Sequence, residues 1–193
     1  MTPNPEQLVF IPSSDGVSLE ARIRIPVASS IARKDICLII SHPYGRLGGN
    51  LQNNVVDAIS LGFAKEFMTV RFNFRGVGQS TGRGSFTGSG EVDDVLSVAK
   101  YVKERVDLRP KYFLLCGYSY GSIPVCTVSS ELDGCIGEIS VCFHIHLMKA
   151  SGVISISFPA SVMWLLTMGN SSKYIHALRS CPLTTPKLFI TGA

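Results

Sequence analysis

Tyr112-Phe113-Leu114-Leu115-Cys116 runs straight into Gly117-Tyr118-Ser119-Tyr120-Gly121. The first five residues are continuously apolar, as a strand buried on both faces should be. The residues from Ser119 to Ser130 then read as a helix. A serine mounted on so sharp a strand-to-helix turn needs small close neighbours, which accounts for Gly117 and Gly121. The turn puts Ser119 Oγ at the sheet edge. It also puts the Tyr120 N–H at a helix N-terminus, where it can donate to a developing oxyanion. A glycine-rich turn that only packs a helix on a sheet would use the same letters. The strand–turn–helix setting favours a nucleophile.

Outward from this point the chain alternates strands and helices. Leu8–Pro12 and Val17–Pro26 are strand-like runs around the turn signal Ser13-Ser14-Asp15-Gly16. In the second run Ser18, Glu20, Arg22 and Arg24 alternate with apolar residues, which predicts one wet face. Ile36–Ile40 is a second buried strand, and Met68–Phe74 a third. Leu51–Phe67 and Glu91–Val106 have helical apolar stripes. Glu91, Asp93 and Asp94 in a first turn suit the positive end of the helix dipole. Further strands are expected at Val153–Phe158 and Lys187–Thr191, with helical pieces near Ala160–Met168 and Ser171–Leu178. An antiparallel hairpin followed by this alternation predicts an α/β fold with a mostly parallel sheet and helices on both faces. No repeat or linker divides the chain, so residues 1–193 read as one domain.

Composition narrows the function classes. Of 193 residues, 46% are apolar and 17% charged, which favours a packed core over disorder. The net charge of +4 is scattered without a basic run, so nucleic acid and anionic membrane are not expected partners. The most apolar stretch, Val153–Met168, is short for a bilayer span and broken by Ser155, Ser157, Pro159 and Ser161. The six cysteines form no CxxC pair, and Met1–Glu6 lacks the features of a secretory leader. A reducing, cytoplasmic location is expected.

Two more loops fall at strand ends, where ligands bind in such sheets. Ser41-His42-Pro43-Tyr44-Gly45 follows Ile36–Ile40. Pro43 has no N–H, so a second oxyanion donor is Tyr44 or Gly45, with Tyr44 favoured. His42 is read as a brace of the turn, since a base must come within roughly 3 Å of Ser119 Oγ. Asn73-Phe74-Arg75-Gly76-Val77-Gly78-Gln79-Ser80 only partly matches GxGxxG and lacks an immediate helix, so a dinucleotide site is not expected. Cys135, Cys142, His144 and His146 have no standard zinc spacing. No metal and no cofactor are expected.

Four motifs together carry a resemblance. His42-Pro43-Tyr44-Gly45 with Gly48-Gly49-Asn50, then Arg71–Ser80, then Gly90-Glu91 with Asp94, then Gly117–Gly121, occur in the order of the α/β-hydrolase superfamily. The chain resembles its small, nearly lidless, dienelactone-hydrolase-like or serine-aminopeptidase-like members over roughly residues 8–130 and again near 153–193. The resemblance implies Ser119 as nucleophile and the backbone N–H groups of Tyr120 and Tyr44 as oxyanion donors. It implies hydrolysis of a small-molecule carboxylic ester or amide.

The family's acid would follow Lys187–Thr191, and its histidine a later strand. The chain ends at Ala193. The resemblance therefore implies a C-terminally incomplete member, with the last strand and helix missing. His144, His146 and His176 do not follow a late strand, so they are not expected to replace the base. Loss of a triad base costs on the order of 10⁶ in turnover, or roughly 8 kcal/mol of barrier. Weak or absent activity is expected in this form. The alternatives are a non-catalytic ligand- or partner-binding protein, and a thioesterase- or transferase-like enzyme with an unusual base. Residues 134–151 depart from the family pattern and read as an atypical insertion. The uncovered edge at Lys187–Thr191 predicts self-association.

Overall fold

Ile36 is 4% exposed and Cys37, Leu38, Ile39 and Ile40 are completely buried. They form the middle of strand β3 (Arg33–Ser41). The structure is a computed structural model that describes residues 5–27 and 32–142, and the backbone of 154–157 and 163–167. β3 runs parallel between β4 (Phe67–Phe72) and β5 (Tyr112–Tyr118), with Ile39 opposite both Val70 and Leu115. β6 (Cys135–Cys142) continues the parallel set beside β5. β1 (Gln7–Pro12) and β2 (Ser18–Arg24) form the antiparallel hairpin, and β2 adds to β4. With β7 (Ile154–Ser157) and β8 (Met163–Thr167) the sheet has the order β1-β2-β4-β3-β5-β6-β8-β7. It is parallel through its centre and antiparallel at both flanks.

Alternate residues of the central strands supply two cores. Cys37, Ile39, Phe113 and Leu115 face α2 (Ser89–Glu104) and α3 (Ser122–Ser129), packing with Val95, Val98, Val102, Val125 and Val128. Leu38, Ile40 and Cys116 face α1 (Asn54–Phe63), packing with Val56 and Ile59. Helices thus cover both faces, which is why β3 shows no polar alternation. Each fully buried aliphatic side chain contributes roughly 1.5–3 kcal/mol relative to exposure.

The polar face of β2 is not wet. Glu20 and Arg24 are buried, and Glu6 pairs with both Arg24 and Arg71 at 3.1 and 2.7 Å. Alternation reports which residues are polar; burial of that face follows from neighbours that neutralise it. α1 starts at Asn54, three residues later than the apolar stripe suggests. The Asn53 side chain caps it by accepting from the Val55 N–H at 3.0 Å. Leu51 is instead tied to the loop after β4, its N–H donating to Asn73 Oδ1 at 2.7 Å.

Two sequence expectations near the end of the described residues are corrected. Cys135–Cys142, read as the start of an insertion, is a strand of the sheet. Met163–Thr167, read as part of a helical piece, is also a strand and pairs antiparallel with β6. A short apolar run lacks the periodicity that separates strand from helix; pairing with a sheet edge decides it. The expected elements at 171–178 and 187–191, and residues 143–151 of the expected insertion, lie outside the described residues.

Candidate active site

β5 ends in the backbone feature that the Gly-Tyr-Ser-Tyr-Gly stretch predicts. Ser119 has φ 54°, a left-handed conformation that side chains other than glycine rarely adopt. A 3₁₀ turn, Ser119–Gly121, leads into α3. The turn is so tight that a Cβ on Gly117 would lie 2.5 Å from Ser122 Cα and 2.6 Å from the Gly121 oxygen. Ser122 Oγ locks it by donating to the Gly117 carbonyl at 2.9 Å. Ser119 itself is exposed, and its hydroxyl has no hydrogen-bond partner among the described residues.

Gly121 brings the second loop to the first. A Cβ there would meet the His42 carbonyl oxygen at 2.7 Å and the Ser41 carbonyl oxygen at 2.9 Å. The loop after β3 therefore packs directly on the turn that carries Ser119. Tyr44 follows, at the head of the 3₁₀ turn Gly45–Leu47. Its carbonyl accepts from Leu47 and Gly49 at 3.0 and 3.1 Å, and its own N–H has no acceptor among the described residues. The Tyr44 and Tyr120 rings lie 4.9 Å apart, and Phe86 adds an edge contact to Tyr44 at 6.1 Å. Tyr120 Oη donates to the Ser85 carbonyl at 2.9 Å, and burial pushes its phenol up to about 12.

His42 is completely buried. Its Nε2 accepts from the Phe74 N–H at 3.0 Å, so Nδ1 carries the proton and donates to the Pro43 carbonyl at 2.6 Å. Burial pulls its pKa down to about 4. Nδ1 is spent inside its own loop and Nε2 on the loop after β4, so neither is available to Ser119. His144, His146 and His176 lie outside the described residues.

The loop after β4 forms the floor beside these groups. Arg75 Nε and Nη2 both donate to Asp94 Oδ1, at 3.0 and 2.8 Å, and the Arg75 N–H donates to Asp94 Oδ2 at 2.9 Å. Asp15 takes the remaining arm at 2.8 Å. Glu91 accepts from the Ser85 N–H at 2.8 Å and from Ser85 Oγ at 2.6 Å. Glu91 and Asp94 are thus turned inward to hold the loop, not outward to complement a helix dipole. Their exposures of 2% and 0% separate them from Asp93, which shares the same turn. Nothing in the helix's first-turn composition distinguishes the three.

No protein-family model matches the chain, and comparison with curated proteins gives no match. Solved structures do match. A lidless α/β serine hydrolase from Xanthomonas campestris is 27% identical, with TM-score 0.59, over 68% of this chain and 59% of that one. A protein of unknown function from Agrobacterium tumefaciens, described as an α/β hydrolase, is 29% identical with TM-score 0.60, over 69% and 59%. An α/β serine hydrolase homologue from Coxiella burnetii is 32% identical with TM-score 0.56, over 68% and 60%.

The chain belongs to the α/β-hydrolase superfamily. It spans about three fifths of the length of these three α/β-hydrolase relatives. Among its described residues no helix is long and apolar enough to cross a membrane. As an α/β-hydrolase fold it places the three loops that follow β3, β4 and β5 at one end of the parallel strands, where such sheets build their sites.

Proposed function

We propose that this chain carries the nucleophile and oxyanion half of a serine hydrolase acting on small carboxylic esters or amides. The observation that carries the reading is Ser119: left-handed, exposed and without a hydrogen-bond partner among the described residues, on a turn packed against the Tyr44 loop. Ser119 Oγ attacks the carbonyl carbon and forms a C–O bond. The electron pair moves to the carbonyl oxygen, which the Tyr44 and Tyr120 N–H groups receive. The serine proton passes to a base. The tetrahedral species then expels the alcohol or amine, which takes up that proton, and water releases the acyl group.

The Tyr44 N–H, which has no acceptor among the described residues, supports its role as a donor, because an unspent amide N–H at a loop turn is free to hydrogen-bond a developing oxyanion. No described residue is placed as the base, since His42 is committed at both nitrogens. That observation favours, as the second reading, binding through the same cleft without turnover. A fluorophosphonate probe separates the two. Rapid labelling that Ser119→Ala abolishes supports the hydrolase. A folded protein that labels no faster than free serine supports the binding role.

A further inference from the structure

Glu20 is a carboxylate only 5% exposed, and it has no ion pair among the described residues. Other charges on the same face of the sheet are answered: Glu6 pairs with both Arg24 and Arg71. Glu20 receives neutral donors instead. Its Oε2 accepts from Asn73 Nδ2 at 2.7 Å and from the Gln79 N–H at 2.9 Å. Its Oε1 accepts a long contact from Gln79 Nε2, at 3.4 Å. Burying a charge is costly unless it is paired and hydrogen-bonded. Oε1 is therefore the underused atom of this group.

Glu20 lines a cavity of about 430 Å³ formed with the loops after β3 and β4. The other side chains in its wall are Asn50, Gln52, Asn73, Val77 and Gln79, with glycines between them. Among the described residues the wall thus holds one negative charge, four carboxamides and no cation. Ser119, Tyr44 and Tyr120 are not part of it, so it is distinct from the serine turn. Gln52 and Gln79 are exposed, and the Gln52 side chain has no hydrogen-bond partner among the described residues. Glu20 itself is fixed. Gly78, at φ 55°, presses on its network: a Cβ there would collide with Asn73 Nδ2 and lie 2.7 Å from Glu20 Oε2. A fixed anchor reduces the ordering cost of binding.

We propose that this cavity is a second binding site, for a small hydroxylated primary amine of the amino-sugar class, with Glu20 as the counter-ion of the ammonium. The donor set selects among cations. A hard divalent metal takes six or more oxygens, commonly from several carboxylates. Here there is one acid, and no group of three metal-ligating side chains occurs among the described residues. A guanidinium fork uses both carboxylate oxygens in parallel, and Oε2 already accepts two hydrogen bonds. An ammonium is a compact charge with three donors. One donor fits Oε1, and the others fit the carboxamide oxygens of Gln52 and Gln79. The rest of the ligand meets groups that both donate and accept, which suits hydroxyls. Val77 is the one apolar side chain in the wall among the described residues, so a plain alkyl body would gain little there. This site is independent of the reading of Ser119.

The test is calorimetric titration of the full chain at pH 7 with glucosamine, glucose, N-acetylglucosamine and calcium chloride, each alone. Glucosamine should bind at least tenfold tighter than the two neutral sugars. Glu20→Gln, whose amide oxygen can still accept from Asn73 and Gln79, should lose that preference. Gln52→Ala/Gln79→Ala removes two exposed side chains and keeps the Gln79 N–H. It should weaken glucosamine binding several-fold with unchanged melting, which decides the matter even where Glu20→Gln does not fold. Equal binding of charged and neutral sugars, no binding of any, full affinity in the double alanine variant, preference surviving Glu20→Gln, or calcium binding ahead of glucosamine would overturn the proposal. Fluorophosphonate labelling of the same chain reports on Ser119 alone, so the two readings fail separately.

Discussion

His42 Nε2 accepts a hydrogen bond from the backbone N–H of Phe74 at 3.0 Å, while the two rings meet edge to face at 4.7 Å. The imidazole thereby fastens the loop after β3 to the loop after β4. It can do so only while neutral, because a protonated Nε2 would face an N–H donor.

This contact predicts acid sensitivity. His42 titrates near 4 in the folded protein and near 6.5 when unfolded, so below pH 6.5 the unfolded chain binds the extra proton. Stability from this group is fully present above pH 6.5 and is lost as pH falls to 4. The loss is about 3 kcal/mol in all. Urea midpoints between pH 7 and 4 should fall faster in the wild-type chain than in His42→Gln. Parallel profiles would show that the ring is not held as described.

Ser119 predicts opposite effects on stability and reactivity. Its left-handed backbone is strained for any residue with a Cβ. Ser119→Gly should therefore melt higher than Ser119→Ala, by about 1 kcal/mol of stability. Both should lose fluorophosphonate labelling. Equal stabilities would mean that the turn carries no strain.

Gly121→Ala should act on both loops at once. Its new Cβ would lie 2.7 Å from the His42 oxygen and 2.9 Å from the Ser41 oxygen, both backbone atoms. Neither can move without shifting β3 or the turn. We expect a cost of about 1–3 kcal/mol and slower serine labelling in the fraction that folds. Unchanged labelling would argue that the Tyr44 loop does not depend on this packing.

Asp94→Ala should be far costlier than removal of a surface partner. Asp94 is fully buried and holds three Arg75 hydrogen bonds. Deleting it leaves the buried guanidinium held by the half-exposed Asp15 and removes the acceptor of the Arg75 N–H, at about 3 kcal/mol. Asp133, 93% exposed in its pair with Lys103, should cost under about 1 kcal/mol when replaced by alanine. Chemical denaturation of the two variants gives the comparison.

Some of this site was readable from the residues alone. Gly117-Tyr118-Ser119-Tyr120-Gly121 after an apolar run implies the turn, because few residues other than glycine tolerate such close backbone approach. The central strands were readable for a related reason: β3 and β5 are buried on both faces, and their sequences contain no polar alternation. The commitments of polar groups were not readable. Glu91, Asp93 and Asp94 are adjacent acids on one helix, yet two turn inward and one does not.

Local sequence thus determined which residues could form strands and helices and where a strained serine could sit, because steric and hydrophobic preferences act over a few residues. Tertiary structure alone decided that Met163–Thr167 pairs as a strand, that β2's charged face is covered, that His42 is locked neutral, and that Glu20 lines a cavity formed with the loops after β3 and β4. Those outcomes depend on groups far apart in the chain, whose charges and hydrogen bonds are settled only when the loops after β3, β4 and β5 meet.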